Sequence, residues 1–200
     1  IINKNLATCQ IPFCSACGYA KLTKRPWRPR TSIDYENSKA VTQPGQIVSV
    51  DMLVSPTPGL IAQMTGFITK QRYRYATVYV DQATGYGFIY LQQTASAQET
   101  LESKKAFERA AATHNISIKA YHADNGIFKA KDWVETCQKQ NQPLTFAAVG
   151  AHHQNGKAER CIREVQDMAR TMLLHAHQRW PKAITANLWP YAVRHANDCI

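Results

Sequence analysis

Three acidic residues and one cysteine pair carry the chemistry open to this sequence. Asp51 sits in "SVDML", Asp124 in "YHADNG" and Glu159 in "QNGKAER". Carboxylate oxygens are hard donors that suit Mg2+ or Mn2+ ions, which keep several waters when bound. Two such ions, about 3.5–4 Å apart, can activate a water or hydroxyl and stabilise the leaving oxygen of a phosphodiester. Cys14 and Cys17 form a C-x-x-C, the spacing of half a zinc site. Each residue also has a plainer reading. Asp51 can be a strand residue facing solvent. Asp124, before Asn-Gly, can be a turn residue. Glu159 can be an i,i+4 partner of Arg163.

The elements that carry the acids favour the joint reading. "QIVSVDMLV" is short and rich in β-branched residues, which predicts a strand holding Asp51. "YRYATVYVD" and "GYGFIYLQQ" predict two more strands, joined by the turn-like "DQATG", with Asp81 as a turn residue. Residues 95–115 are rich in Ala, Glu and Lys and read as a helix. "ISIKAYHAD" is a fourth strand ending at Asp124, residues 131–140 a short helix, and "PLTFAAV" a fifth strand. A long helix runs from about Gly156 to His177. Its apolar stripe is Ala158, Ile162, Val165, Ala169 and Met172, at helical spacing, and Glu159 lies in its first turns. A last helix, about 184–196, shows Ile184, Leu188, Tyr191 and His195 at helical spacing. This order predicts an α/β domain with a starting meander and helices packed on a mixed sheet. The layout suggests a ribonuclease-H-like fold. Ahead of it, residues 25–45 are rich in Pro and charge and read as a linker, and residues 1–24 as a small module around the cysteine pair.

Bulk properties agree with a nucleic-acid partner. Twenty-four Lys and Arg against 14 Asp and Glu leave a net charge of +10, which predicts a polyanionic partner. Gln154, Asn155, Lys157, Arg160 and Arg163 are the DNA-contact candidates at the start of the long helix. A solvated helix face is the alternative for its basic residues. No apolar run approaches the length of a membrane span, and no signal-peptide pattern opens the chain. Six cysteines without such a signal argue against a disulfide framework. His152 and His153 are adjacent and read as loop residues, His175 and His177 as exposed, and Trp27 as a linker residue packed on the core or stacked on a partner.

The motifs together resemble the integrase catalytic core of copia-type LTR retrotransposons, within the retroviral integrase superfamily. Asp124-Asn125-Gly126 matches the family's Asp-Asn-Gly after a strand. Gln154-Asn155-Gly156-Lys157-Ala158-Glu159-Arg160 matches the motif that opens its helix. "PGQIVSVDMLVSP" places Asp51 as the first catalytic aspartate, "LWPYAVRHAN" resembles the following helix, and "CSACGYAKLTKRP" the end of the amino-terminal zinc module. Two features depart from the pattern. Asp124 and Glu159 have 34 residues between them where relatives usually have thirty-five, and His153 stands in place of the usual Pro.

The resemblance implies a D,D,E triad of Asp51, Asp124 and Glu159 binding Mg2+ or Mn2+. It implies 3′-end processing and strand transfer on double-stranded DNA, by a homo-oligomer, in the nucleus and in a cytoplasmic particle, as part of a polyprotein. The core would span residues 46–200, cut at its C-terminal end. Alternatives are an inactive DNA-binding fragment and a metal-dependent nuclease of the same fold. The family places two histidines upstream of its cysteine pair, whereas the first histidine here is His114. The expectation is therefore that Cys14 and Cys17 are half of a zinc site, that Cys9 is a buried small residue, and that this chain does not hold zinc tightly.

Overall fold

The structure is a computed structural model, and it describes residues 14–20, 41–61, 69–147 and 155–200. Cys9, Trp27, His152, His153, Gln154 and most of the expected linker lie outside the described residues.

A helix α1 (Ser15–Ala20) precedes the sheet domain. Strands β1 (Val48–Gly59), β2 (Tyr73–Asp81) and β3 (Gly87–Gln92) form the expected antiparallel meander. Helix α2 (Ala97–Ala112) crosses to β4 (Tyr121–Ala123), and α3 (Lys131–Lys139) crosses to β5 (Leu144–Phe146). Both of these strands run parallel to β1. The sheet order is β3-β2-β1-β4-β5, so β1 is central. Helices α4 (Gly156–Arg179) and α5 (Trp189–Asp198) close the chain.

Side chains alternate across the sheet and sort the core into two layers. Val48, Val50, Tyr79, Tyr121 and Ala123 pack with Phe107 of α2 and Trp133 of α3. Leu53, Ala76, Val78 and Val80 pack on the other face, with Ala158, Val165 and Ala169 of α4 and Trp189 of α5. The expected α4 stripe is therefore the buried one, with Ile162 and Met172 packed at its margin. Local chemistry sets the boundaries. Ser96 caps α2 by accepting from the Glu99 amide at 3.2 Å. Glu99 reaches back to the Gln93 amide at 2.8 Å, a variant of the capping box. Asp81, fully turned inward, accepts from the Gly45 amide at 3.0 Å and from the Thr84 amide and hydroxyl at 2.9 and 2.7 Å. It is the turn residue its position suggested.

Three elements differ from expectation. Strand β1 runs on to Gly59, past a register shift after Val54. Strand β4 is three residues, because residues 116–120 approach the sheet without joining its ladder; Lys119 donates instead to the Gly45 carbonyl at 2.8 Å. The last helix begins at Trp189, after a 3-10 turn over Ala186–Leu188, later than the expected start near residue 184. Trp189, Ala192, Val193 and Ala196 face the core, while Tyr191 and His195 are exposed. The smaller side chains win this face because α5 packs close against the sheet and α4. Gly59 shows the same closeness, since a Cβ there would collide with the Trp189 ring.

Candidate functional site

The parallel ladder between β1 and β4 pairs Val48 with Tyr121, Ser49 with His122 and Val50 with Ala123. Asp51 is the next residue of β1 and Asp124 the first residue after β4 ends, so the register brings them side by side. The alternation leading up to them points to one face. Val50 and Ala123 belong to the α2/α3 layer, so Asp51 and Asp124 project to the side that α4 covers. Asp51 Oδ1 accepts from the Met52 amide at 2.7 Å, and Asp124 Oδ1 from the Asn125 amide at 2.6 Å. The Asn125 side chain donates to the Ala147 carbonyl, which ties the segment after Asp124 to the end of β5. Gly126 keeps a negative φ, so Asn125-Gly126 is no hairpin turn; it leads into a 3-10 turn over Ile127–Lys129.

Glu159 is brought toward the pair by its helix. Asn155 is 2% exposed and donates its side-chain amide to the Val50 carbonyl at 3.0 Å. This bond pins the start of α4 to β1 one residue before Asp51. Ala158, fully buried, seats the first turn against the sheet. Glu159 itself is half-buried, one turn into the helix. It forms no ion pair with Arg163 or with any other described residue. Arg160 pairs with Glu164 at 2.9 Å instead. The plain reading of Glu159 as a partner for its basic neighbours is therefore not what the structure has.

The three carboxylates do not close to a single point. Among the described residues, one group of three metal-ligating side chains has all its donor atoms within 4.8 Å of one another, and it is a different one. A set built to bracket two ions about 3.5–4 Å apart does not require such a mutual approach. The donor set fits the cation class: carboxylate oxygens on rigid elements, with no described cationic side chain paired to Asp124 or Glu159.

The DNA-contact candidates divide. Arg163 is exposed. Arg160 is exposed and ion-paired. Lys157 is exposed, but its ammonium donates to the Gln82 carbonyl at 2.7 Å, bracing α4 against the end of β2. Asn155 is buried and bonded to β1, so here it positions the start of α4 and presents little surface to a partner. Its side chain is spent on Val50, and α4 starts without a side-chain cap. The motif alone hid this, because Asn before a helix ordinarily caps it.

Sequence reasoning missed one neighbour of the cysteine pair. His175, near the far end of α4, lies with its Nε2 3.0 Å from Cys14 Sγ, across 161 residues of chain. It completes the group of Cys14, Cys17 and His175. Hydrogen bonds from the Cys17 backbone and side chain, then from His175, lower the Cys14 thiol to about 7. No spacing rule links residues so distant, so only the packing of α1 on α4 could reveal the third member.

Comparisons with known proteins bear on the fold. No family model matches the chain. A retrovirus-related Pol polyprotein from transposon RE1 of Arabidopsis thaliana is 29% identical over 181 residues, covering 90% of this chain. The chain resembles a retrotransposon integrase core. It spans about a tenth of that polyprotein's length. A chain in the intasome of simian T-cell lymphotropic virus, solved in complex with the PP2A regulatory subunit B56 gamma, matches with a TM-score of 0.54 at 16% identity. That match covers 83% of this chain and 53% of the other. The HTLV-2 integrase catalytic core domain, solved in a trimeric form with magnesium, gives 0.48 at 17% identity, covering 77% and 83%. The integrase-like core thus has the ribonuclease-H-like fold expected of it, a mixed five-stranded sheet flanked by helices.

Proposed function

We propose that this chain is the catalytic core of a copia-type retrotransposon integrase, which trims DNA 3′ ends and joins them to target DNA. The observation that carries this reading is the parallel register that sets Asp51 beside Asp124 on the face covered by α4, with Glu159 in that helix's first turn. Asp51, Asp124 and Glu159 would hold Mg2+, or Mn2+ in its place, and the bound metal would supply Lewis-acid chemistry at the reacting oxygens. The residues do the rest. Strands β1 and β4 fix the two aspartates, and Asn155 fixes the start of the helix that carries the glutamate. Exposed Arg163 and, with Glu164 displaced, Arg160 hold phosphates beside the site. In each step a water or a 3′-hydroxyl oxygen bonds to phosphorus as the P–O bond to the departing 3′-oxygen breaks. No protein nucleophile takes part.

In this reading residues 46–200 are the core, 25–45 a linker and 1–24 the end of a zinc module. The partners are double-stranded DNA and further copies of the chain, acting in the nucleus after assembly in a cytoplasmic particle. A second reading is a DNA-binding fragment without catalysis, since the three carboxylates do not all lie within 4.8 Å of one another. A strand-transfer assay on labelled duplexes with randomised ends, in Mg2+, tests both. Asp124→Asn and Glu159→Gln should each lower joined product by at least about a hundredfold, more than loss of an outer-shell metal partner costs, while DNA affinity is kept. Normal joining by either variant overturns the site assignment. Binding without joining by the unaltered chain, in Mg2+ and in Mn2+, supports the second reading, and cutting without joining a nuclease.

A further inference from the structure

The connection from α4 to α5 is tied across the C-terminal end of β1. The Ala183 and Ile184 amides donate to the Trp180 carbonyl at 3.1 and 3.0 Å, which turns the chain just past α4. His177 Nδ1 donates to the Ile184 carbonyl at 3.1 Å. The Leu60 amide donates to the Asn187 carbonyl at 2.8 Å, and Trp189 Nε1 to the Thr57 carbonyl at 2.8 Å. These bonds hold the backbone of the connection, and they leave its charged and aromatic side chains outward.

That outer surface has one sign of charge. No Asp or Glu occurs between Asp167 and Asp198. Arg179, Lys182 and Arg194 are exposed, and none pairs with a carboxylate among the described residues. Trp180, between Arg179 and Pro181, is 57% exposed. Its carbonyl sets the turn, so the fold makes no use of its ring. Tyr191, 45% exposed, stands one turn before Arg194 on the outer face of α5. Cations that meet phosphates and open aromatic rings on which bases stack are the two parts of a platform for single strands. A duplex offers phosphates too, but its base faces are already stacked on one another, so the rings point to an unpaired strand.

We propose that Trp180, with Arg179 and Lys182 beside it, forms a second nucleic-acid surface that binds unpaired RNA or DNA, one base stacking on the indole. Tyr191 and Arg194 continue this surface along α5. It is separate from the carboxylates: Glu159 lies in the first turn of α4 and Trp180 just past its last, roughly 30 Å apart along the axis. Neither a metal ion nor a carboxylate enters this inference, so it stands or falls apart from the catalytic reading.

The test is oligonucleotide binding by the 200-residue chain in EDTA, read by fluorescence anisotropy. The probes are labelled oligothymidylate, oligouridylate and a mixed-sequence duplex of equal length. The unaltered chain should bind single strands, and the tighter of the two names RNA or DNA as the source. Trp180→Ala should weaken single-strand binding by at least about fivefold, the least that one stacked base is worth, and should leave duplex affinity unchanged. Trp180→Phe, which keeps a ring, should restore most of the loss. Arg179→Gln and Lys182→Gln should each lower the slope of log affinity against log salt by about 0.7, the single-strand value for one phosphate. Far-ultraviolet circular dichroism confirms that these surface variants are folded. Failure of the unaltered chain to bind either single strand overturns the proposal. So does unchanged single-strand affinity in Trp180→Ala, and a shift in its sedimentation would then assign the ring to a contact between copies. An equal loss on the duplex overturns it as well.

Discussion

Asn155 and Val50 are joined by a 3.0 Å hydrogen bond that binds the start of α4 to the central strand. Asn155 is 2% exposed, so Ala in its place removes a buried hydrogen bond, while the Val50 carbonyl stays in the β1–β4 ladder. Asn155→Ala should destabilise the fold by about 0.5–1.5 kcal/mol, the net worth of one hydrogen bond. Urea unfolding measures this. The same variant should lose strand transfer more than DNA affinity, since it unseats Glu159 without touching a basic residue. Wild-type stability in Asn155→Ala would show that the bond is ornamental.

Ala158 is fully buried between α4 and the sheet. Ala158→Leu should cost about 1–3 kcal/mol through overpacking. It should also push the first turn of α4 outward, so activity should fall further than the lost stability explains. Folded-state activity measured well below the unfolding midpoint separates the two effects.

The basic residues of α4 should differ in their use. Arg163→Ala should lower the slope of log affinity against log salt by about one, the signature of a single lost phosphate contact. Arg160→Ala should have a smaller effect, because Glu164 already occupies its guanidinium. Glu164→Ala should therefore raise affinity for duplex DNA. Titrations at several salt concentrations check all three, and equal slopes across the set would remove this helix face from the interface.

Thiol reactivity reports on the cysteine cluster. In zinc-free protein, alkylation of Cys14 should be half-maximal near pH 7, where its thiol ionises. Burial pushes the Cys137 and Cys161 thiols up, so both should lag at neutral pH. Mass spectrometry of peptides after a short iodoacetamide pulse ranks them. Cys14 reacting no faster than Cys161 at pH 7 would show that its neighbours do not lower its thiol.

Much of the fold was legible because its signals are periodic. The β-branched run of β2 marks a strand, here buried on both faces, and the three-and-four spacing of Ala158, Val165 and Ala169 names one buried face of α4. In the last helix the residues noted for their spacing, Tyr191 and His195, are exposed, and packing buries the small residues Ala192 and Ala196. Asp51 and Asp124 were legible as strand residues, and the register then made them neighbours. The roles of Asn155 and His175 were not legible. Each is defined by a partner more than a hundred residues away, Val50 for one and Cys14 for the other. Periodicity carries no information at that range.

The separate anchoring of Asp124 and Glu159 bears on the interval between them. Asp124 takes its place from the β1–β4 register, and Glu159 from the clasp of Asn155 on β1. Both are surveyed from the same strand, so the 34 residues between them are slack rope and no measuring rod. One residue more or less there would be absorbed in the connection, whereas one residue inserted between Val48 and Asp51 would turn the first aspartate to the opposite face. The tolerance of this architecture to insertion is thus written in which benchmarks its acids share, and the count of residues along the chain is a poor guide to it.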